Sequence, residues 1–138
     1  MSDSAQYGDG DATFRAAGGE SGIRALVEDF YDIMGSNPAY RTIYSWHPDD
    51  ISVSIDKLAR FLCGWMGGPR RYSEKYGRIS IPGAHQHLDV TEAERDQWLN
   101  CMREALERQP YPEDLKSYLI EQLAVPAEAV HTVSQARR

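Results

Sequence analysis

GGPRRYSEKYGRISIPGAHQHLDVTEAERDQW, residues 67–98, is the stretch on which the reading of this chain turns. It joins the end of one amphipathic helix to the start of another, and its middle follows neither the helical nor the strand period. Helices of a compact domain are joined by a handful of residues. Connections longer than about a dozen are uncommon and are more often functional or disordered. Two of the four histidines, His85 and His87, stand in this one. It reads as a wall built around something, with His85 pointing at it.

Outward from that stretch, both flanks are helical. Upstream, Ile51, Ile55, Leu58, Phe61, Leu62 and Trp65 form an apolar stripe with Asp49 and Asp50 as caps, ending at Gly67-Gly68-Pro69. Ser52, Ser54 and Lys57 lie among these residues. Further upstream, Ile23, Leu26, Val27, Phe30, Tyr31 and Met34 follow the i, i+3, i+4, i+7, i+8, i+11 spacing of one helix face, with Ser21 as its cap and Asn37-Pro38 as its stop. A short turn over residues 39–43 leads into the ring-rich corner Tyr44-Ser45-Trp46-His47-Pro48. Downstream, Thr91-x-x-Glu94 is a capping-box pattern that starts a helix with Trp98, Cys101, Met102, Ala105 and Leu106 on its buried face. A last helix carries Leu115, Tyr118, Leu119 and Leu123, and Val125-Pro126 begins at most one more turn.

Three units follow: an N-terminal extension over 1–18, loose at first and with one short helix capped by Asp11; a helical domain over 19–125; and a turn and loose tail over 126–138. The expected class is all-α.

Composition narrows the function. At 138 residues, 41% hydrophobic, the chain is one domain of ordinary globular make-up. A net charge of −6 argues against sequence-independent nucleic-acid binding, which needs a basic face. No apolar run reaches the roughly 20 residues of a membrane span. The first residues lack the basic and apolar regions of a signal peptide, so a cytoplasmic location is expected. Cys63 and Cys101 fall inside helical patterns without a C-x-x-C partner and read as buried free thiols.

Taken one at a time, the chemistry-bearing residues have plain structural explanations. Aromatic rings at helical spacing are usually core, and a lone loop histidine is usually at the surface. His85-x-His87 has no Asp, Glu or Cys spaced as a third metal ligand. No nucleophile elbow, phosphate loop or H-E-x-x-H is present. What stands out is the collection: Phe30, Tyr31, Tyr44, Trp46, Phe61, Trp65 and Trp98 are candidates to converge. Three of them carry a donor that must find an acceptor in protein, water or ligand: Tyr31, Tyr44 and Trp98.

In combination these residues resemble the group II truncated haemoglobins. The match runs from about Gly18 to Leu123: the pair Phe30-Tyr31, the helix start Pro48-Asp49-Asp50, the block F-L-x-x-W-x-G-G-P-x-x-Y-S-E from Phe61 to Glu74, and a histidine ahead of E-R-D-x-W-L-x-C-M, Glu94 to Met102. The resemblance implies a two-over-two helical sandwich enclosing haem b. It implies His85 as proximal iron ligand, with His87 two places on as a bystander. Tyr31 and Trp98 match distal ligand-binding positions, and Tyr44 is the choice for the corner ring, with Trp46 or His47 as the alternatives. Haem contacts are expected from Phe30, Trp46, His47, Leu58, Phe61, Leu62, Arg71, Tyr72, Tyr76, Ile79, Leu88 and Met102. The family's arginine just before the proximal histidine is absent at Ala84, leaving Arg78, Arg71 or Tyr72 as partners for a propionate.

The activity implied is haem-based oxygen binding with slow release, serving nitric oxide dioxygenation or peroxide chemistry. An internal sixth ligand is expected from Tyr44, Tyr31 or His47. The implied partners are O2, NO and CO, an electron donor, and neither nucleic acid nor membrane, in a monomer or weak dimer. The alternative reading is a non-enzymatic gas carrier or sensor acting through a partner.

Overall fold

The computed structural model describes residues 7–78, 85 and 88–136 of the chain. In order these form α1 (Ala12–Ala16), α2 (Gly19–Ser36), a 3-10 turn (Pro38–Tyr40), α3 (Arg41–Tyr44), α4 (Ile51–Trp65), α5 (Arg71–Tyr76), α6 (Glu92–Glu107) and α7 (Glu113–Ala136). No strand occurs among the described residues. The all-α expectation holds.

Helix α2 is the centre of the packing. Its predicted face is buried in full, from Ile23 to Met34, and it packs chiefly against α4 and α6, while α6 packs against α7. Two helix pairs, α2 with α4 and α6 with α7, therefore cross as a two-over-two sandwich. Phe30, Leu26, Leu62, Met102, Leu106, Leu115 and Leu119 are fully enclosed between them. Each such side chain contributes about 1.5–3 kcal/mol relative to exposure. Cys63 and Cys101 are buried and free, as expected, and the Cys101 thiol donates to the Phe30 carbonyl at 3.3 Å.

The caps explain where two helices begin. Asp50 accepts from the Ser52 backbone N–H at 3.1 Å, and the Glu94 carboxylate reaches back to the Thr91 N–H at 2.8 Å, closing the predicted capping box. Two other expected caps are corrected. Helix α2 begins at Gly19, with Gly18 rather than Ser21 at the N-cap in the left-handed region, φ +89°, which a glycine adopts at no steric cost. Asp11 does stand before α1, but its carboxylate pairs with Arg15 at 3.1 Å instead of capping.

The N-terminal segment is docked from Tyr7 onward, against the expectation of a loose first ten residues. Tyr7 packs on Tyr118 with ring centroids 5.2 Å apart and donates to Asp114 at 3.0 Å, while the Phe14 N–H donates to the Met66 carbonyl at 3.0 Å. Gly67 is required by this docking. Its φ is +91°, and a Cβ there would lie 1.8 Å from the Gly10 carbonyl oxygen.

The C-terminal expectation is also corrected. Residues 126–136 are not a turn and tail: α7 runs through Pro126 to Ala136. A proline inside a helix costs about 3 kcal/mol or more, because one backbone hydrogen bond is lost and the ring crowds the preceding turn. The second half of α7 offsets that cost by burying Ser134 and laying Ala127 and Val130 along the interior described next.

Candidate functional site

A cavity of about 360 Å³ lies between the two helix pairs. Helix α4 supplies its longest wall, Ser54, Lys57, Leu58, Phe61 and Leu62, which follow one helical face. Tyr31 enters from α2, Trp98 with Glu94 and Arg95 from α6, and Leu123, Pro126, Ala127 and Val130 from α7. Ile43, Trp46 and His47 close one side; Tyr72, His85, Leu88 and Val90 close the other. The irregular stretch that opened the sequence reading thus delivers His85 to the cavity, together with Leu88 and Val90.

The distal side is built from three rings around one hydroxyl. Phe30 is fully buried and stands behind Tyr31 and Trp98, edge-on to both at 5.0 and 5.2 Å. It fixes the two donor-bearing rings without lining the cavity itself. Tyr31 Oη lies 3.5 Å from His47 Nε2, at the outer limit of a hydrogen bond. His47 Nδ1 faces the Tyr44 carbonyl at 3.4 Å and so carries the ring proton there, which leaves Nε2 as the acceptor for the Tyr31 O–H. Burial lowers the His47 pKa and keeps that ring neutral. Burial likewise raises the Tyr31 pKa well above the usual phenol range, so its proton stays on and the group is a donor at any ordinary pH. The Trp98 indole N–H has no hydrogen-bond partner among the described residues and is available to a guest.

Several expected contacts stand elsewhere. Tyr44 is 37% exposed and packs its ring over Gly35, outside the cavity, so the corner ring facing inward comes from Trp46 and His47. Met102 is fully buried in the core behind the wall. Tyr76 donates to Asp56 at 2.7 Å and faces away from the cavity lining. Arg71 is engaged by Glu20 at 3.0 Å and Glu74 at 3.1 Å, not by the cavity. Trp65 lines a smaller cavity of about 210 Å³ beneath the N-terminal segment. Ile79, Ala84 and His87 lie outside the described residues.

The comparisons with known proteins agree with this geometry. Residues 12–132 match the family model of the bacterial-like globins. The solved group II 2-on-2 haemoglobin of Agrobacterium tumefaciens is 32% identical, covering 92% of this chain and 97% of that one, with a TM-score of 0.77. This chain belongs to the group II truncated haemoglobins. The cold-adapted truncated haemoglobin of the Antarctic bacterium Pseudoalteromonas haloplanktis TAC125 superposes with a TM-score of 0.82 at 28% identity, over 86% of this chain and 95% of that one. The group 2 truncated haemoglobin YjbI of Bacillus subtilis (strain 168) is 29% identical over 117 residues, 85% of each chain. For a truncated haemoglobin, membership implies a haem cofactor and the binding of small gases such as oxygen.

The residues present fit that group. Leu58, Phe61, Leu62, Leu88, Val90, Leu123 and Val130 give apolar walls suited to a flat aromatic macrocycle, and His85 stands among them. Cations reach the rim from two sides. Arg95 is held by Asp96 and Glu128, whereas Lys57 is exposed and forms no ion pair among the described residues. Lys57 and Tyr72 both line the cavity, and the Lys57 ammonium lies 5.4 Å from the centroid of the Tyr76 ring. Sequence reasoning passed over Lys57 because it sat as one polar residue inside an apolar stripe. It passed over Pro126, Ala127 and Val130 because Val125-Pro126 reads as the start of a single further turn before a loose tail, although with Leu123 they keep the i, i+3, i+4, i+7 spacing.

No described helix is long and apolar enough to cross a membrane.

Proposed function

We propose that this truncated haemoglobin binds haem b through His85 Nε2, retains oxygen with slow release, and uses it in redox detoxification. The chemistry favoured is dioxygenation of nitric oxide to nitrate, with peroxide chemistry second. The observation that carries the reading is the placement of two proton donors, the Tyr31 hydroxyl and the Trp98 indole, on the cavity that also contains His85. When bound, haem would supply an iron centre able to hold and polarise a diatomic gas.

The protein's own residues account for the rest. Leu58, Phe61 and Leu62 exclude water and hold the macrocycle's face. Lys57 and Tyr72 meet its carboxylates. Tyr31 and Trp98 each hold a proton toward the outer atom of a polarised gas. A hydrogen bond to a charged acceptor contributes about 1.5–3 kcal/mol, and each 1.4 kcal/mol is about tenfold in equilibrium. Each donor therefore slows oxygen loss roughly ten- to hundredfold by that arithmetic. Forming nitrate from nitric oxide and dioxygen consumes one electron, so an electron donor is part of this reading.

An internal sixth ligand, where one forms, falls to His47. Tyr44 points outside the cavity, and burial keeps the Tyr31 phenol protonated, which disfavours a phenolate. His47 Nε2 offers a lone pair now held by the Tyr31 hydroxyl.

Stopped-flow oxygen dissociation tests the donor argument. Replacing Tyr31 and Trp98 together by Phe is expected to raise the off-rate at least tenfold, and an unchanged or lower rate overturns slow release by these donors. Nitric oxide consumption with a supplied reductant separates the enzyme from a carrier: sustained turnover is expected, and a single stoichiometric oxidation contradicts it.

A further inference from the structure

The end of α7 grips the backbone at Leu88 and Val90. The Ser134 hydroxyl is the centre of that grip. It accepts from the Val90 N–H at 2.8 Å and donates to the Leu88 carbonyl at 3.1 Å, and the Gln135 amide donates to the Val90 carbonyl at 3.0 Å. The Leu88 N–H in turn donates to the His85 carbonyl at 3.0 Å. Four hydrogen bonds thus connect the last turns of the chain to the backbone of the histidine some fifty residues earlier. Ser134 is 3% exposed and Val90 4%, so the buried Val90 N–H depends on this hydroxyl for a partner.

A serine whose only task was to end a helix would be at the surface with its hydroxyl in water. Here a buried serine stands past an internal proline, on a half-helix whose inner residues Pro126, Ala127 and Val130 line the same cavity. The Arg95–Glu128 ion pair fastens that half-helix to α6 one turn beyond the capping box. The element that closes the cavity wall is therefore the element that holds the histidine's turn.

We propose that Ser134 is a positioning residue for His85: its hydroxyl clamps Leu88 and Val90, and through the hydrogen bond from the Leu88 N–H to the His85 carbonyl it sets the orientation of the imidazole toward the iron. This rests on the assignment of His85 as proximal ligand. The clamp explains why α7 tolerates Pro126 instead of stopping there, since the segment beyond the proline carries the contacts that hold the site.

The test uses the full-length haem-loaded protein with two readouts. One is hydrogen exchange of the Val90 amide relative to amides inside α6, followed by NMR on the diamagnetic ferrous carbonyl form. The other is the iron–histidine stretching band of the ferrous ligand-free form by resonance Raman. Removing a buried partner costs about 1–3 kcal/mol, so Ser134→Ala is expected to speed Val90 exchange about tenfold or more and to shift or broaden the band. Gln135→Ala is expected to move both in the same sense by less, and Ser134→Thr, which keeps the hydroxyl, to restore them toward wild type. Unchanged exchange in Ser134→Ala overturns the clamp. Faster exchange with an unmoved band shows a clasp that secures the segment without setting the histidine, and overturns the positioning role. Should Ser134→Ala fail to hold haem, Gln135→Ala decides by the same two readouts. A wild-type protein without any iron–histidine band overturns the assignment of His85 itself, a result distinct from a wild-type band that Ser134→Ala leaves in place.

Discussion

Tyr31 and His47 show how one residue's environment selects another's chemistry. The carbonyl of Tyr44 favours the proton on His47 Nδ1, burial lowers the ring's pKa, and the unprotonated Nε2 then accepts from a phenol whose proton burial will not release. From sequence, Tyr31 and Trp98 were legible as donors among apolar neighbours, because helix spacing alone puts them on buried faces. His47 was one of three alternatives, since the path of a corner cannot be read from a period. Arg71 misled for a related reason: its partner Glu20 stands 51 positions away on another helix, and nothing local announces the pair. The arrangement predicts that the ferric protein without added ligand contains a low-spin six-coordinate fraction supplied by His47. By resonance Raman, His47→Phe should abolish that fraction and Tyr44→Phe should leave it. A fraction that survives the histidine replacement, or disappears with the tyrosine, contradicts the assignment.

Among the elements, α4 carries the most. Its inner face is the cavity wall, and its outer face holds α5 through Asp56. That carboxylate accepts from Arg24 on α2, from Arg60 one turn along, and from Lys75 and Tyr76 on α5. Desolvation pushes the Asp56 pKa up, but the hydrogen bonds from Tyr76, Lys75 and Arg60 outweigh it and hold the group well below the usual carboxylate range. A carboxylate depressed in the folded state stabilises the fold above its unfolded pKa of about 4 and loses that contribution as pH falls toward the folded value. Asp56→Asn should therefore lower stability at pH 7 by roughly 1–2 kcal/mol, with the deficit shrinking as pH drops below about 4. Urea titrations at several pH values check this, and a deficit independent of pH counts against the ionised hub.

Helices α4 and α6 are readable from the chain because an apolar stripe and a side-chain cap coincide in each, and α2 is readable from its stripe alone. Two features are not. The continuation of α7 past Pro126 has helical spacing behind it, but its contacts with Leu88 and Val90 lie more than forty residues away along the chain. The docking of Tyr7–Ala17 depends on Gly67 and Tyr118, both far along the chain.

At the scale of the molecule, two helix pairs stand over one another with a cavity of about 360 Å³ between them. A small helical domain ordinarily closes such a space with its own leucines. Here Leu58, Phe61 and Leu62 share a cavity wall with residues of α7, and the irregular stretch from Gly67 brings His85, Leu88 and Val90 to the same cavity. The fold is the family's, and this chain carries with it an N-terminal segment docked on Tyr118 and Met66 and a last helix that holds the backbone at Leu88 and Val90. All of these serve one central claim, that the cavity exists to hold haem on His85. The absorption spectrum of the purified protein tests it most directly. The account predicts an intense Soret band in the wild type that is lost or strongly displaced in His85→Ala, with the circular dichroism of the helices retained. A wild-type protein without the band, or a band unchanged by the replacement, contradicts it.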